Sequence, residues 1–184
     1  MSEPLKVHLG CGRRYLRGYE HVDLDPMPFV KYVHDIRTLP MYADNTVAEI
    51  YCCGAMVYFD RQEVVPVLQE WMRVLAYDGL LRLSVPDFDS IVSIYRRYGL
   101  EHAGVLGPLF GKWKRSDGVT MYQRTTYNAV SLRALLESLG FVNITTWDCQ
   151  KVLPEGYDDY SKAYIPPYNK TGIQVSLNME AVKP

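Results

Sequence analysis

The stretch from Lys6 to Asp25 places the strongest constraint on the fold of this chain, because a glycine turn separates two short strand-like segments. Val7 and Leu9 supply the buried positions of a strand. Gly10 and Gly12 follow, and glycine allows backbone torsions and a close ligand approach that a β-carbon would prevent. A turn of this kind is a place to hold a nucleotide-like ligand.

A second strand, predicted over Glu20–Leu24, delivers Asp23 and Asp25 at its carboxyl end. Open α/β sheets keep their ligands there, and a carboxylate can accept both hydroxyls of a ribose. A dinucleotide-binding protein would show Gly-x-Gly-x-x-Gly, with the acid about 20 residues further on. Here Tyr15 occupies the third glycine position, and Asp23 follows Gly12 by 11 residues. The spacing therefore favours a nucleoside without phosphates over a diphosphate.

Further motifs follow the glycine turn in order. After the turn His8-Leu9-Gly10-Cys11-Gly12 comes the acid Asp23, then Asp35 in HDIRTLP, and then LQEWMRVLAYDGLLRLSVPD over residues 68–87. Together these motifs resemble those of the class I S-adenosylmethionine-dependent methyltransferases, whose helix, turn and fifth strand usually read RVLKPGGxLxIxxP. The resemblance covers nearly the whole chain. It is closest to a predicted group of methyltransferases often encoded beside polysaccharide genes.

The resemblance implies an α/β Rossmann-like three-layer sandwich, with a mostly parallel seven-stranded sheet and an antiparallel C-terminal hairpin. Residues 1–184 would form one domain that transfers a methyl group from S-adenosyl-L-methionine to a hydroxyl or amine of a small molecule, sugar or glycan. The implied cofactor-binding residues are Leu9, Gly10, Cys11, Gly12, Asp23, Leu24, Asp35, Ile36 and Cys53. Asp35 taken by itself could equally cap the turn that follows it.

Composition narrows the class of partner. The chain has 184 residues, of which 48% are hydrophobic, and a net charge of −1. That length suits one domain with a real core, and the balanced charge predicts neither nucleic-acid nor membrane binding.

The start has no apolar leader, so we expect a soluble cytoplasmic protein. Four cysteines without zinc-site spacing predict reduced thiols and no metal, and a homodimer is an open expectation.

Hydrophobic periodicity and turn residues predict the other elements. Strands are expected over Lys31–His34, Val47–Cys53, Leu80–Val85, Phe141–Asp148 and Thr171–Val182, and helices over Arg61–Leu75, Phe88–Tyr98 and Ser131–Leu139. Asp78-Gly79 is expected to be the turn that ends the first helix.

Residues 99–127 are rich in glycine and carry little periodicity. We interpret this segment as a loop-rich lid or acceptor-binding insertion, with an ordinary mobile loop as the alternative. Within it, the basic patch Lys112 to Arg115 is more typical of a solvated edge than of a nucleic-acid site, although it could meet an anionic acceptor.

The sequence indicates less clearly which residues would bind or activate the methyl acceptor. A hydroxyl acceptor needs a general base, whereas a neutral amine needs none. The candidates for catalysis are Asp87, His102 and Tyr122, with Asp158 or Asp159 as further acids.

Two rival functions stay open. Where related sequences usually carry polar residues after the fourth strand, this chain has Gly54, Val57 and Tyr58. That departure motivates a cofactor-binding or regulatory protein without turnover. The second rival is a nicotinamide-binding oxidoreductase, which shares the strand, turn and strand of the opening but not its glycine spacing.

Overall fold

The computed structural model describes residues 3–165 and 172–184. Its strands are β1 (Lys6–Leu9), β2 (Glu20–Asp23), β3 (Val30–Val33), β4 (Val47–Cys53), β5 (Leu75–Pro86), β6 (Lys112–Lys114), β7 (Thr120–Tyr122), β8 (Val142–Thr146), β9 (Tyr164–Ile165), β10 (Ile173–Gln174) and β11 (Ser176–Val182). Its helices are α1 (Val64–Val74), α2 (Phe88–Tyr98), α3 (Ala103–Phe110), α4 (Ala129–Ser138) and α5 (Cys149–Val152).

Seven strands form the central sheet, in the order β3-β2-β1-β4-β5-β11-β8. Neighbouring strands from β3 to β5 run parallel, and β11 is antiparallel to both β5 and β8. The predicted fold class is confirmed, including the antiparallel pair that the last two predicted strands form. Because the strand order reverses between β1 and β4, the carboxyl ends of these strands border a crevice, where open α/β sheets bind ligands.

Side chains of β4 show how the sheet separates two apolar layers. Ile50 and Cys52 belong to the main core, which also takes in buried residues of α1 and α4. Tyr51 points to the opposite face and packs with Leu16 and Trp147. On that face the chain between β1 and β2 covers the sheet without forming a helix. Burial on both faces is what a central parallel strand requires.

Local capping explains the helix boundaries. Helix α2 has the bounds predicted for it, because Asp87 accepts a hydrogen bond from the backbone of Asp89 at its start and Gly99 (φ 87°) ends it. Asn128 and Ser131 form a reciprocal capping box at the start of α4. Helix α1 begins at Val64 and not at Arg61.

Strand β5 is longer at its amino end than predicted. Asp78 and Gly79 do not end helix α1, which stops at Val74, but form an irregularity inside β5. Asp78 has a positive φ of 58°, and the pairing with β4 shifts register between Val47 and Glu49. The Asp78 N–H donates to the carbonyl of Lys183, and the Lys183 N–H donates to the carbonyl of Gly79, each at 3.0 Å. These two bonds hold the irregularity to the end of β11.

The glycine-rich segment after α2 is more regular than the predicted loop. It contains helix α3 and an antiparallel hairpin, β6–β7, in which Trp113 pairs with Met121. The prediction of a long irregular loop was wrong in this respect. The hairpin crosses the carboxyl ends of the first strands, as the contacts below show.

Two predicted features reach beyond the described residues. Thr171, the first residue of the last predicted strand, lies outside them, and so do residues 166–169 of the tyrosine- and proline-rich segment that we expect to form a loop before that strand. Within the part of the chain that the structure describes, no helix has the length and apolar character that a bilayer crossing requires.

Candidate functional site

A cavity of about 630 Å³ opens at the carboxyl ends of β1 to β4. This volume lies in the range of small-molecule sites. The residues that line it come from the glycine turn, from the ends of β2 to β5, from the β6–β7 hairpin and from the loop before β9. They are Gly10, Cys11, Gly12, Arg13, Arg14, Asp23, Leu24, Asp35, Ile36, Arg37, Cys53, Gly54, Ala55, Tyr58, Phe59, Pro86, Trp113, Arg115, Met121, Gln123, Asp159 and Tyr160. Of the nine predicted cofactor-binding residues, only Leu9 is absent from this lining.

The glycine turn needs both of its glycines. Gly10 and Gly12 have φ values of +63° and +55°, in the left-handed region that glycine tolerates best. A β-carbon on Gly10 would lie 2.3 Å from the β-carbon of Ala55, which follows β4. On Gly12 it would lie 3.5 Å from the indole of Trp113. The glycine turn therefore packs between the end of β4 and the β6–β7 hairpin.

Asp23 ties the glycine turn to the end of β2. One carboxylate oxygen accepts from the backbone N–H of Gly12 at 2.7 Å, and the other accepts from that of Asp25 at 2.8 Å. The residue is only 8% exposed, yet it lines the cavity. Each carboxylate oxygen can accept a second hydrogen bond, so Asp23 can still receive the hydroxyls of a ligand.

Asp35 stands at the other end of the cavity, after β3. Its oxygens accept from the backbone N–H of Arg37 at 2.9 Å and from the guanidinium of Arg37 at 2.7 Å. The turn-capping role considered as an alternative is thus present, and Asp35 also lines the cavity. The carbonyl of the neighbouring Ile36 accepts from the buried indole of Trp71 at 2.8 Å, which fixes this wall.

The thiols at the cavity are not activated. Burial, and then the negative charge of Asp23, raise the pKa of Cys11 to about 12. Burial likewise raises the pKa of Cys53 well above its usual range. All four cysteines are free. Because the thiolate is the reactive form, this geometry favours a structural role for both residues.

The three candidates for catalysis do not line the cavity. Asp87 caps helix α2 and accepts from the hydroxyl of Ser90 at 2.7 Å. His102 caps α3 through Nδ1, which accepts from the backbone of Gly104 at 3.1 Å, and its ring stacks on Tyr98. Capping uses the polar atoms at the helix ends, which accounts for these two positions.

Tyr122 lies outside the cavity lining for a different reason. It is 56% exposed, whereas its neighbours Met121 and Gln123 line the cavity. Successive side chains of a strand point to opposite faces, so only alternate residues of the hairpin can reach the site. The prediction of Asp87, His102 and Tyr122 as a catalytic group is therefore not supported by the structure.

Asp159, one of the two further acids named as candidates for catalysis, lines the cavity. It accepts hydrogen bonds from the hydroxyl of the buried Tyr51 and from the backbone and hydroxyl of Ser161. The carbonyl of Ser161 in turn accepts from Asn178 at 2.9 Å and from Ser176 at 2.8 Å, both on β11. The sheet thus holds this loop in place.

Asp158 does not line the cavity. It is exposed, and its carboxylate lies 3.7 Å from the guanidinium of the exposed Arg14. An ion pair of this kind contributes little.

Several lining residues were not singled out in the sequence. They are the basic residues Arg13, Arg14 and Arg37 and the hairpin residues Met121 and Gln123. The adjacent arginines directly after Gly12 were the available signal for the first two. The hairpin pair had none, because its register depends on a turn that the sequence does not identify.

No protein-family model matches the chain, and no curated protein matches its sequence. Solved structures do match. One is 1,6-didemethyltoxoflavin-N1-methyltransferase from Burkholderia thailandensis, crystallised with 1,6-didemethyltoxoflavin and S-adenosylhomocysteine. It is 14% identical, with a TM-score of 0.53, and the match covers 97% of this chain and 70% of that one.

Two archaeal structures match in the same way. An S-adenosylmethionine-dependent methyltransferase from Methanosarcina mazei has a TM-score of 0.57 at 13% identity, over 99% of this chain and 94% of its own. One from Archaeoglobus fulgidus has a TM-score of 0.56 at 13% identity, and the match covers 97% of this chain and 85% of that one. These likenesses, together with the strand order, show that the chain has the fold of the class I methyltransferases.

Proposed function

We propose that this protein is an S-adenosylmethionine-dependent methyltransferase that acts on a hydroxyl or amine of a small molecule. A sugar or glycan is the acceptor that the sequence resemblance favours. One observation carries the proposal: the glycine turn and Asp23 line the same cavity as the acid Asp159, at the switch point of a methyltransferase-type sheet. A cofactor site and an acceptor site can therefore share one space.

The residues present fit the cofactor. The positive-φ glycine turn leaves backbone exposed beside the cavity, and both oxygens of Asp23 keep hydrogen-bonding capacity for ribose hydroxyls. Asp35 and Ile36 would meet the adenine, and Gly10 to Gly12 the methionine end. When bound, S-adenosylmethionine would supply an activated methyl group on its sulfonium.

The acceptor would enter the same cavity. Tyr58, Phe59, Trp113 and Met121 also line it and supply apolar surface that excludes water. Asp159 would accept the proton of a hydroxyl acceptor as general base, and Tyr51 and Ser161 would hold its carboxylate in position. An amine that arrives neutral needs alignment alone.

The proposal is tested by methyl transfer from radiolabelled S-adenosylmethionine to a panel of sugars, hydroxy acids and amines. Labelled product from at least one acceptor is expected. Cofactor binding without product from any acceptor would favour a regulatory protein without turnover.

A thermal-shift comparison addresses the oxidoreductase alternative, because a ligand stabilises the state that it binds. S-adenosylmethionine should raise the melting temperature and NAD should not. The reverse result would contradict the proposed cofactor.

A further inference from the structure

Two buried polar side chains, Ser84 on β5 and Asn178 on β11, lie next to each other in the central sheet. They are partners in the register of these two strands, so they share one face of the sheet. Ser84 is fully buried and Asn178 is 5% exposed. A buried polar group is costly unless it is hydrogen-bonded, so the bonds of this pair indicate its role.

The pair fixes the orientation of the Asn178 amide. The hydroxyl of Ser84 donates to Oδ1 of Asn178 at 2.8 Å, and Nδ2 of Asn178 donates to the carbonyl of Ser161 at 2.9 Å. A reversed amide would place its oxygen against the carbonyl oxygen of Ser161, which cannot donate. Ser84 therefore acts on the amide, and the amide acts on Ser161.

The carbonyl of Ser161 accepts from three side chains. Gln174, Ser176 and Asn178 donate to it at 3.1, 2.8 and 2.9 Å. These residues alternate along the chain, as residues on one face of an extended segment do. A carbonyl oxygen has two lone pairs, so three donors saturate it. Ser161 is itself fully buried, and its position is thus set by the end of the sheet.

Ser161 in turn holds Asp159. Its backbone N–H and its hydroxyl both donate to Oδ1 of Asp159, and the hydroxyl of Tyr51 on β4 donates to Oδ2. The carboxylate is therefore fixed by β4 directly and by β11 through Ser161. Oδ2 can accept one more hydrogen bond, and Asp159 lines the cavity.

The carboxylates that line the cavity differ in their partners. Asp35 is paired with the guanidinium of Arg37, and Asp23 joins the glycine turn to the end of β2 through two backbone N–H groups. The donors to Asp159 that the structure describes are neutral. Within the described part of the chain, Asp159 is thus a fixed carboxylate that no paired cation occupies.

We propose that Asn178 and Ser84 are positioning residues for Asp159, and that the methyl acceptor in this cavity is a hydroxyl compound. The inference rests on the proposed function and narrows its acceptor. A fixed carboxylate serves an acceptor that must lose a proton, whereas an amine that arrives neutral needs no base. The hydroxyl proton passes to Asp159 as the acceptor oxygen bonds to the methyl carbon, and the electron pair of the broken carbon–sulfur bond stays on sulfur.

Steady-state methyl transfer to hydroxyl and amine acceptors tests this role. The proteins are the unaltered chain, Asn178→Ala, Ser84→Ala, Asp159→Asn and the double variant of Asn178→Ala with Asp159→Asn. Met179→Ala is the matched control. Met179 is the next residue on β11 and is buried in the main core on the opposite face, so its truncation loosens the strand without removing a bond of Asn178.

Asn178→Ala should lower kcat for a hydroxyl acceptor by about 10- to 10²-fold and leave KM nearly unchanged, because a displaced base slows the reaction. Transfer to an amine should change little. Ser84→Ala, which removes one hydroxyl and is the milder change, should give a smaller loss. In the Asp159→Asn background, Asn178→Ala should have no further effect, since the base is already absent. Met179→Ala should leave kcat unchanged.

Hydrogen exchange followed by mass spectrometry gives a second readout that needs neither cofactor nor acceptor. In Asn178→Ala, peptides over residues 157–163 should exchange about tenfold faster relative to peptides of β1, because Ser161 loses a donor to its carbonyl. Ser84→Ala should give a smaller selective increase. Met179→Ala should not increase exchange selectively in this segment.

The inference is overturned if Asn178→Ala leaves kcat unchanged, lowers it equally with and without the Asp159 carboxylate, or slows hydroxyl and amine acceptors alike. Transfer confined to amines, or unchanged exchange over residues 157–163, also overturns it. Failure of the proposed function looks different, because the unaltered chain then methylates no acceptor. The exchange measurement still decides in that case whether Asn178 holds the segment that carries Asp159.

Discussion

The carboxylate of Asp25 accepts a hydrogen bond from the indole N–H of Trp113 at 3.1 Å, across 88 residues of chain. With the two hydrogen bonds from Ser116, this contact fastens the β6–β7 hairpin to the end of β2. Burial alone would raise the pKa of Asp25, but the hydrogen bonds from Ser116 and Trp113 outweigh it and lower the pKa. The hairpin is therefore a fixed wall of the cavity at neutral pH.

Replacement of Asp25 by Asn should release this hairpin. An amide places an N–H₂ group opposite either the indole or Ser116, so at least one donor of these partly buried hydrogen bonds loses its acceptor. The expected loss is about 1–3 kcal/mol of unfolding free energy, together with increased solvent exposure of Trp113. Urea unfolding and fluorescence quenching measure the two effects. Asp158→Asn, which removes an exposed acid, is the control and should change neither.

Gly10 provides a test of packing between β1 and β4. Gly10→Ala should destabilise the chain through its positive φ and through the 2.3 Å approach to the β-carbon of Ala55. Gly54→Ala is the matched control, because its φ is +75° and nothing lies within 4 Å of the added carbon. We expect Gly10→Ala to cost about 1–3 kcal/mol more than Gly54→Ala.

The double variant Gly10→Ala with Ala55→Gly should recover part of that difference, because it removes the opposing carbon. Chemical denaturation of the unaltered chain, Gly10→Ala, Ala55→Gly and the double variant measures the coupling. Equal costs for Gly10→Ala and Gly54→Ala would contradict the close contact.

Two neutral histidines make stability depend on pH. Burial, and then the charge of His21, lower the pKa of His8 to about 3, and burial lowers the pKa of His21. In the unfolded chain both histidines would titrate near the usual 6.5, so the unfolded state binds more protons below that pH. Unfolding free energy should therefore fall as the pH drops from 6.5 towards 4, by on the order of a few kcal/mol.

His8→Leu should flatten this dependence, since Leu cannot take up a proton. Urea unfolding of both chains at pH 7, 6, 5 and 4 gives the two slopes. Other titrating groups act on both chains alike. Parallel slopes would show that His8 does not remain neutral in the folded protein.

Asp159 should matter for turnover and not for cofactor binding. Asp159→Asn is expected to lower methyl transfer to a hydroxyl acceptor by about 10²–10⁴-fold, because an amide cannot act as a general base. The affinity for S-adenosylhomocysteine should change little. Tyr51→Phe, which removes one hydrogen bond to the carboxylate, should have a smaller effect on the rate. A full rate in Asp159→Asn would remove this residue from the mechanism.

The sequence predicts best where the determinants are local. The glycine turn, Asp23 and both ends of α2 depend on residues within a few positions of each other, and the structure has the turn, the second strand and the helix where they were expected. The mostly parallel seven-stranded sheet was predicted from the resemblance to the class I methyltransferase motifs, and no single residue indicates it. The assignment of Asp23 to a ribose is still a prediction.

The rest depends on contacts between distant parts of the chain. The β6–β7 hairpin is anchored by Asp25, so nothing between residues 112 and 122 shows that it forms or which face it presents. The face of a strand depends on its register, so the sequence does not show that Met121 and Gln123 line the cavity and that Tyr122 does not. The irregularity at Asp78 likewise depends on the pairing of β5 with β4 and β11.

Calorimetric titration of S-adenosylhomocysteine into the unaltered chain, Asp23→Ala and Asp158→Ala tests the central claim most directly. The account predicts binding to the unaltered chain and to Asp158→Ala with similar affinity, and a loss of about tenfold or more in Asp23→Ala, whose folded state is verified by its unfolding transition. Unchanged affinity in a folded Asp23→Ala protein, or no binding to the unaltered chain, would contradict it.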